Sequence, residues 1–224
     1  QYLVIKKYKT QTMSIKVKLE VNELLDIFEL QHCRDQHPKL QDWLSSTGTL
    51  SATDEVILKD MVDETRFRIE GWNEEELKMK VVALLFYLSH IKIEGKVDIF
   101  YERNINATIN NYNINVIADC TIGTVSGITK VQNPYFFFQE FKKSKGDKTD
   151  PEGQMLAAML AAQAINNNAQ IIYGAYLIGG NWYFSLLDGN KYAIAEALLI
   201  TRPNELKQLL FMLRKLKNYI VEQL

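Results

Sequence analysis

The hydrophobic positions of this chain change period near residue 95. Before it, apolar residues recur every three or four positions; beyond it, they alternate. After a short alternating stretch at 15–21 that reads as a strand, residues 22–33 place Leu24, Leu25, Ile27, Phe28 and Leu30 on one helical stripe. A short helix is expected at 40–44, closed by the Ser/Thr/Gly cluster of 45–51. Thr53 fits the N-cap of a third helix, with acids in its first turn. The clearest helical pattern covers 73–91. Asn73 and Glu76 have capping-box spacing, and Leu77, Val81, Leu84, Leu85 and Leu88 share one face at ~100° per residue. Glu74 projects onto that same face, about one turn before Leu77.

From Gly95 onward, residues 96–105 and 109–123 predict two strands joined by a short turn. A third strand is expected at 135–142. Phe136, Phe138, Glu140 and Lys142 fall on one of its faces, and Tyr135, Phe137, Gln139 and Phe141 on the other. Aromatic residues on both faces predict a central strand covered from both sides. Asp150 then fits an N-cap followed by proline at the first helical position, and the helix runs to about Asn166. Three further strands lie within 171–200, with Gly-Gly-Asn and Asp-Gly-Asn turns that predict hairpins. A last helix over 204–223 carries Leu206, Leu209, Leu210, Leu213 and Leu216 on one stripe. This order predicts an α/β protein, a mixed β-sheet flanked by helices. Residues 1–69 read as a mostly helical N-terminal extension, and 70–224 as the core.

Composition narrows the classes. At 224 residues, 47% hydrophobic and 24% charged, the chain can bury a sizeable core. Its net charge of −1 and pI near 6.4 do not make it a magnet for nucleic acid as a whole, so any phosphate-binding surface must be local. Cys33 and Cys120 have no metal spacing, and His32, His37 and His90 are scattered, which argues against a zinc site and a disulfide framework. No apolar run approaches ~18 residues, and no signal peptide is visible, so a cytoplasmic setting is expected. The chain opens on Gln1; Met13 as an internal start and a trimmed N-terminus both fit. Trp72, Trp182 and Tyr183 read as packing residues rather than base-stacking platforms. The last helix suits either a cover for the sheet or a homodimer face.

Candidate chemistry concentrates between Asp119 and Gln154. Glu140 and Lys142 are two apart on one strand face, so they point to the same place. A carboxylate and an ammonium at the end of an aromatic strand are costly unless that end opens into a cleft. Asp119 ends a neighbouring strand. If the two strands pair, its carboxylate converges with that of Glu140 into a hard-oxygen site suited to Mg²⁺ or Mn²⁺. Lys142 would then hold the attacking water, Glu74 could add a third carboxylate, and Gln154 could bind the phosphate through its amide. Lys143, Lys145 and Lys148 continue a basic loop that could touch a nucleic-acid backbone. The bland alternatives are a same-face charged pair, a strand-capping aspartate and a solvated loop.

The pattern Asp119, then Glu140-Phe141-Lys142, then a helix opened by Gln154 resembles the PD-(D/E)XK nuclease superfamily. Asp119 would match the strand aspartate, Glu140 the second acid, Lys142 the catalytic lysine and Glu74 the acid on the first core helix. Gln154 resembles the helix glutamine of the exonuclease-like branches. The segments WNEEELK, NPYFFFQEFKK, DPEGQMLAAMLAAQ and YGAYLIGGNWYFSLLDGNKYA look like those of an uncharacterised bacterial group with this fold, over about 70–220. The resemblance implies a restriction-endonuclease-like sheet and a Mg²⁺-dependent nuclease, with DNA the favoured substrate over RNA. Two positions depart from the pattern: Ala118 precedes Asp119 where proline is usual, and Ala158 stands where those branches carry tyrosine. A nuclease fold without catalysis, serving as a binding or interaction module, is the alternative.

Overall fold

A computed structural model describes residues 15–127, 130–142, 149–167 and 170–224. The chain begins with β1 (Ile15–Lys16), α1 (Val21–Ile27), β2 (Gln31–Arg34), α2 (Pro38–Leu44) and α3 (Ala52–Arg68). A helix then starts as α4 (Glu74–Leu77), widens to a π-helical turn over Lys78–Val82 and finishes as α5 (Ala83–Ser89). The antiparallel strands β3 (Val97–Ile109), β4 (Tyr112–Ser126) and β5 (Lys130–Lys142) follow, then α6 (Pro151–Ile165). The chain closes with β6 (Ile172–Ile178), β7 (Asn181–Asp188), β8 (Lys191–Ile194), β9 (Leu198–Leu199) and α7 (Pro203–Gln223).

The strands form one nine-stranded mixed sheet, in the order β1-β4-β5-β6-β7-β8-β2, with β3 also on β4 and β9 also on β7. The β3–β4 hairpin turns through Asn110 and Asn111, both at positive φ, as a two-residue hairpin requires. β5 pairs antiparallel with β4 and parallel with β6, and α6 is the crossover between them. Residues 15–69 contribute β1 and β2 to this sheet, and α2 and α3 to the layer of α7.

Two cores lie on the two sheet faces. α6 packs on one with Phe138, Ile172, Tyr176, Leu187 and Tyr192. Gly174 of β6 lets the helix approach closely: a Cβ there would lie 2.6 Å from the Met159 sulfur of α6. The other face carries Phe136, Phe137, Phe141, Tyr173 and Phe184 under the layer of α2, α3, α5 and α7. Trp43 is fully buried there and donates its indole N–H to the Met212 carbonyl at 2.7 Å. Arg214 ties three helices, reaching Asp54 of α3 at 3.0 Å and the Leu88 carbonyl of α5.

Several boundaries differ from the periodicity. The stripe at 22–33 is a helix only to Ile27; Glu29 turns left-handed, and residues 31–34 become an edge strand parallel to β8. The sheet edge offers backbone partners there, such as the Asn190 carbonyl for Gln31 N–H, and that outweighs a short helical continuation. α3 is capped by Ser51, in a capping box with Asp54, rather than by Thr53. The 191–200 pattern divides into β8 and β9 around the exposed Glu196.

Candidate active site

The site grows from the register between β4 and β5. Cys120 faces Gln139 and Thr121 faces Phe138 across the antiparallel ladder. One step further along, Asp119 and Glu140 therefore come opposite each other on the α6 face. Asp119 accepts the Phe141 backbone N–H at 2.8 Å, which pins its carboxylate at the strand edge. Glu140 is only 1% exposed, and its carboxyl lies beside that of Asp119. Burial pushes the Glu140 carboxyl well above the usual carboxylate range, and the charge of Asp119 pushes it the same way; Lys142 pulls it back only in part. Its Oε1 has no hydrogen-bond partner among the described residues.

Lys142 lies two residues on, its side chain largely buried. Its ammonium comes 3.9 Å from Glu74 Oε1. Glu74 opens α4, whose start is fixed by the reciprocal Asn73–Glu76 capping box. Glu74 thus meets the site through Lys142. Among the described residues, no group of three or more acidic, histidine or cysteine side chains converges to hold a metal ion. Gln154 sits in the first turn of α6, with its Oε1 unpartnered among the described residues. It lines a cavity of about 520 Å³ together with residues 19–22, Thr149 and Asp150. Asp150 caps α6 by accepting from Gly153 N–H, and its other oxygen accepts from Val21 N–H, so it joins the starts of α1 and α6. The basic-loop residues Lys143, Lys145 and Lys148 lie outside the described residues.

Periodicity did not single out two neighbouring clusters. Lys78, on the π-helical turn, lies 2.9 Å from Glu75 and 3.0 Å from Glu102. Burial disfavours its charge, yet the hydrogen bonds to the two carboxylates prevail and push its pKa up to about 12. Glu102 stands opposite Asp119 in an unbroken register, between the Tyr101–Cys120 and Arg103–Ala118 pairs, and takes a positive φ of 52°. The second cluster surrounds Glu152, which accepts from Tyr192 OH at 3.0 Å and from Tyr176 OH at 3.3 Å. The left-handed turn at Glu102 has no residue-level signal in the sequence. For the tyrosines, the alternation within 172–178 was visible, but their position beside Glu140 depends on strand register.

The arrangement fits a divalent cation of the Mg²⁺ class. Two adjacent carboxylates supply hard oxygens, one Glu140 oxygen lacks a partner, and Mg²⁺ takes one or two carboxylates while keeping several waters. Compared with known proteins, the sequence matches no family model and no curated protein.

Proposed function

We propose that this chain is a divalent-cation-dependent nuclease of the PD-(D/E)XK kind, hydrolysing phosphodiester bonds of DNA before those of RNA. The observation that carries the reading is the side-by-side placement of Asp119 and Glu140, with Lys142 next on the same strand. Asp119 and Glu140 would hold Mg²⁺ or Mn²⁺, which would supply Lewis-acid charge to the phosphodiester. Lys142 orients the attacking water and places a positive charge beside the reacting phosphate. Glu74 steadies that ammonium from the helix side. Gln154 offers an amide to a phosphate oxygen from the first turn of α6. In the test, purified protein is incubated with Mg²⁺ or Mn²⁺ and DNA. Lys142→Ala is expected to lower cleavage by about 10²–10⁴ while leaving thermal unfolding in place. Undiminished cleavage by this variant would remove the assigned mechanism.

One observation favours a second reading, a nuclease fold that binds without cutting. The Asp119 and Glu140 carboxyls lie close enough to act on each other, and a proton shared between them would satisfy much of the pair with no cation required. Mn²⁺ titration separates the two. A nuclease site binds the ion and loses it in Glu140→Gln, whereas a self-contained carboxyl pair binds none.

A further inference from the structure

Across the sheet, β6 lies parallel to β5 with Tyr176 opposite Glu140, and β7 lies antiparallel to β6 with Tyr183 opposite Tyr176. Paired residues share a sheet face, so Asp119, Glu140, Tyr176 and Tyr183 form one row over four adjacent strands. Strands are spaced about 4.8 Å apart, which puts the Tyr183 backbone roughly 10 Å from that of Glu140. The two rings are stacked, 4.5 Å between centroids and 15° from parallel. The stack is held in place from above: Glu152, in the first turn of α6, accepts from both Tyr176 and the fully buried Tyr192. Tyr176 is buried as the inner ring, and Tyr183 is half-buried as the outer one. β7 is flanked by β8 from Ser185 onward and by β9 at Asn181 and Trp182, so Tyr183 falls between the two ladders.

We propose that the Tyr176–Tyr183 stack is a nucleobase platform, and that it selects nucleic acid with an unpaired base beside the phosphate held at Asp119 and Glu140. The proposal rests on the nuclease reading above and names its substrate class: single strands or frayed ends. A base inside a duplex has both faces covered by its neighbours, so only an unpaired or terminal base can present a face to Tyr183. Base–tyrosine stacking tolerates any sequence, because each base has a π-face. A ring fixed by Glu152 gives that stacking little entropy to lose. Tyr183, which the sequence pattern assigned to packing alone, packs on one face and receives substrate on the other.

The test measures binding and cleavage separately. Binding is followed by fluorescence anisotropy with the Lys142→Ala variant and Mn²⁺, using a labelled oligo-dT strand and the same strand annealed to its complement. The single strand is expected to bind more tightly than the duplex. Adding Tyr183→Ala is expected to weaken single-strand binding by about 5- to 100-fold, with little change for the duplex. Tyr183→Phe should retain binding. Tyr183→Leu, which keeps apolar bulk without a π-face, should lose it while unfolding at the parent temperature. Single-strand affinity in the Ala and Leu variants equal to that of the parent, tighter duplex binding, or binding of neither probe would each overturn the platform. Cleavage by the otherwise native chain, indifferent to Tyr183, would leave the nuclease reading standing without the platform. Tyr183-dependent single-strand binding with no cleavage of any nucleic acid would leave the platform standing without the nuclease.

Discussion

Gly153→Ala sets two effects of known size against each other at the point where α6 meets α1. Alanine at a helical position is favoured over glycine by up to about 1 kcal/mol. Gly153, however, is the third residue of α6, and a Cβ there would overlap the Leu19 carbonyl oxygen and lie 2.8 Å from its carbon. That neighbour is backbone, so it cannot rotate aside. Relief requires the segment before α1 to move away, and this strains the hydrogen bond from Val21 N–H to Asp150, 2.9 Å long. Overpacking of this kind costs about 1–3 kcal/mol, and a hydrogen bond to a charged group about 1.5–3 when lost. The clash therefore wins. Net destabilisation should be at least about 1 kcal/mol, lowering Tm by roughly 2–4 °C per kcal/mol in a chain of this size. Gly71→Ala is the control: nothing lies within 4 Å of a Cβ there and its φ is not positive, so its change should be neutral or slightly stabilising. Both variants are compared by urea unfolding and thermal melts. If Gly153→Ala matched or exceeded Gly71→Ala in stability, the close approach of α6 to residue 19 would be wrong, and with it the wall of the cavity beside Gln154.

Two further expectations concern the clusters around the site. Lys78→Met keeps the apolar stem but removes the ammonium shared by Glu75 and Glu102, both exposed enough to be rehydrated; the cost by urea unfolding should stay near or below about 1 kcal/mol, and Lys78→Ala should cost more through lost stem packing. Because the Lys78 pKa is raised, that difference should persist through neutral pH and vanish only as pH rises through about 12. For Glu152 the pH dependence has the same sign but a different cause. Burial raises its pKa, with Asp150 acting the same way, while the hydrogen bonds from Tyr192 and Tyr176 and the nearby His32 act against it. A raised carboxyl holds its proton longer in the folded state, so the wild type should lose stability relative to Glu152→Gln as pH climbs from the ordinary carboxylate range through the raised value. Parallel pH–stability curves for the two would contradict the burial of Glu152.

Legibility in the sequence followed the range of the interaction involved. Alternation over 135–142 placed Glu140 and Lys142 on one face, and the structure has them on one strand, β5. Alternation is local and holds at that end of the strand, but it breaks near the start: a register shift at Gly123 leaves Phe136 as an extra residue, so Phe136 joins Phe137 and Phe141 on one face and Tyr135 joins Phe138 on the other, against the expected faces. The Asn73–Glu76 capping box is equally local and is present. The nearness of Asp119 to Glu140 was inferred from strand order alone; the pairing of Cys120 with Gln139 fixes it. Failures came where the partner is distant. A stripe such as 22–33 looks like one helix until an edge of β8, some 160 residues later, claims residues 31–34. Tyr176 has no special spacing to Glu140 along the chain; only the parallel register of β5 and β6 brings the two together.

That same register explains why the charged residues sit where they do. β5 pairs antiparallel with β4 and parallel with β6. A parallel neighbour cannot be reached by a hairpin, so the chain must leave the sheet at the carboxyl end of β5 and return through α6. The carboxyl ends of strands beside such crossovers are the usual position for ligands in open α/β sheets. Phe136, Phe137 and Phe138 occupy the covered stretch of β5, and Glu140 and Lys142 come only at its end. α6 begins beyond that exit, with Asp150 as its cap, accepting the Gly153 N–H, and Glu152 in its first turn. The carboxylate pair and the lysine thus lie toward the carboxyl end of β5, with the tyrosine row beside them across β6 and β7. A nuclease or a binding module that uses these residues would engage the sheet at that end.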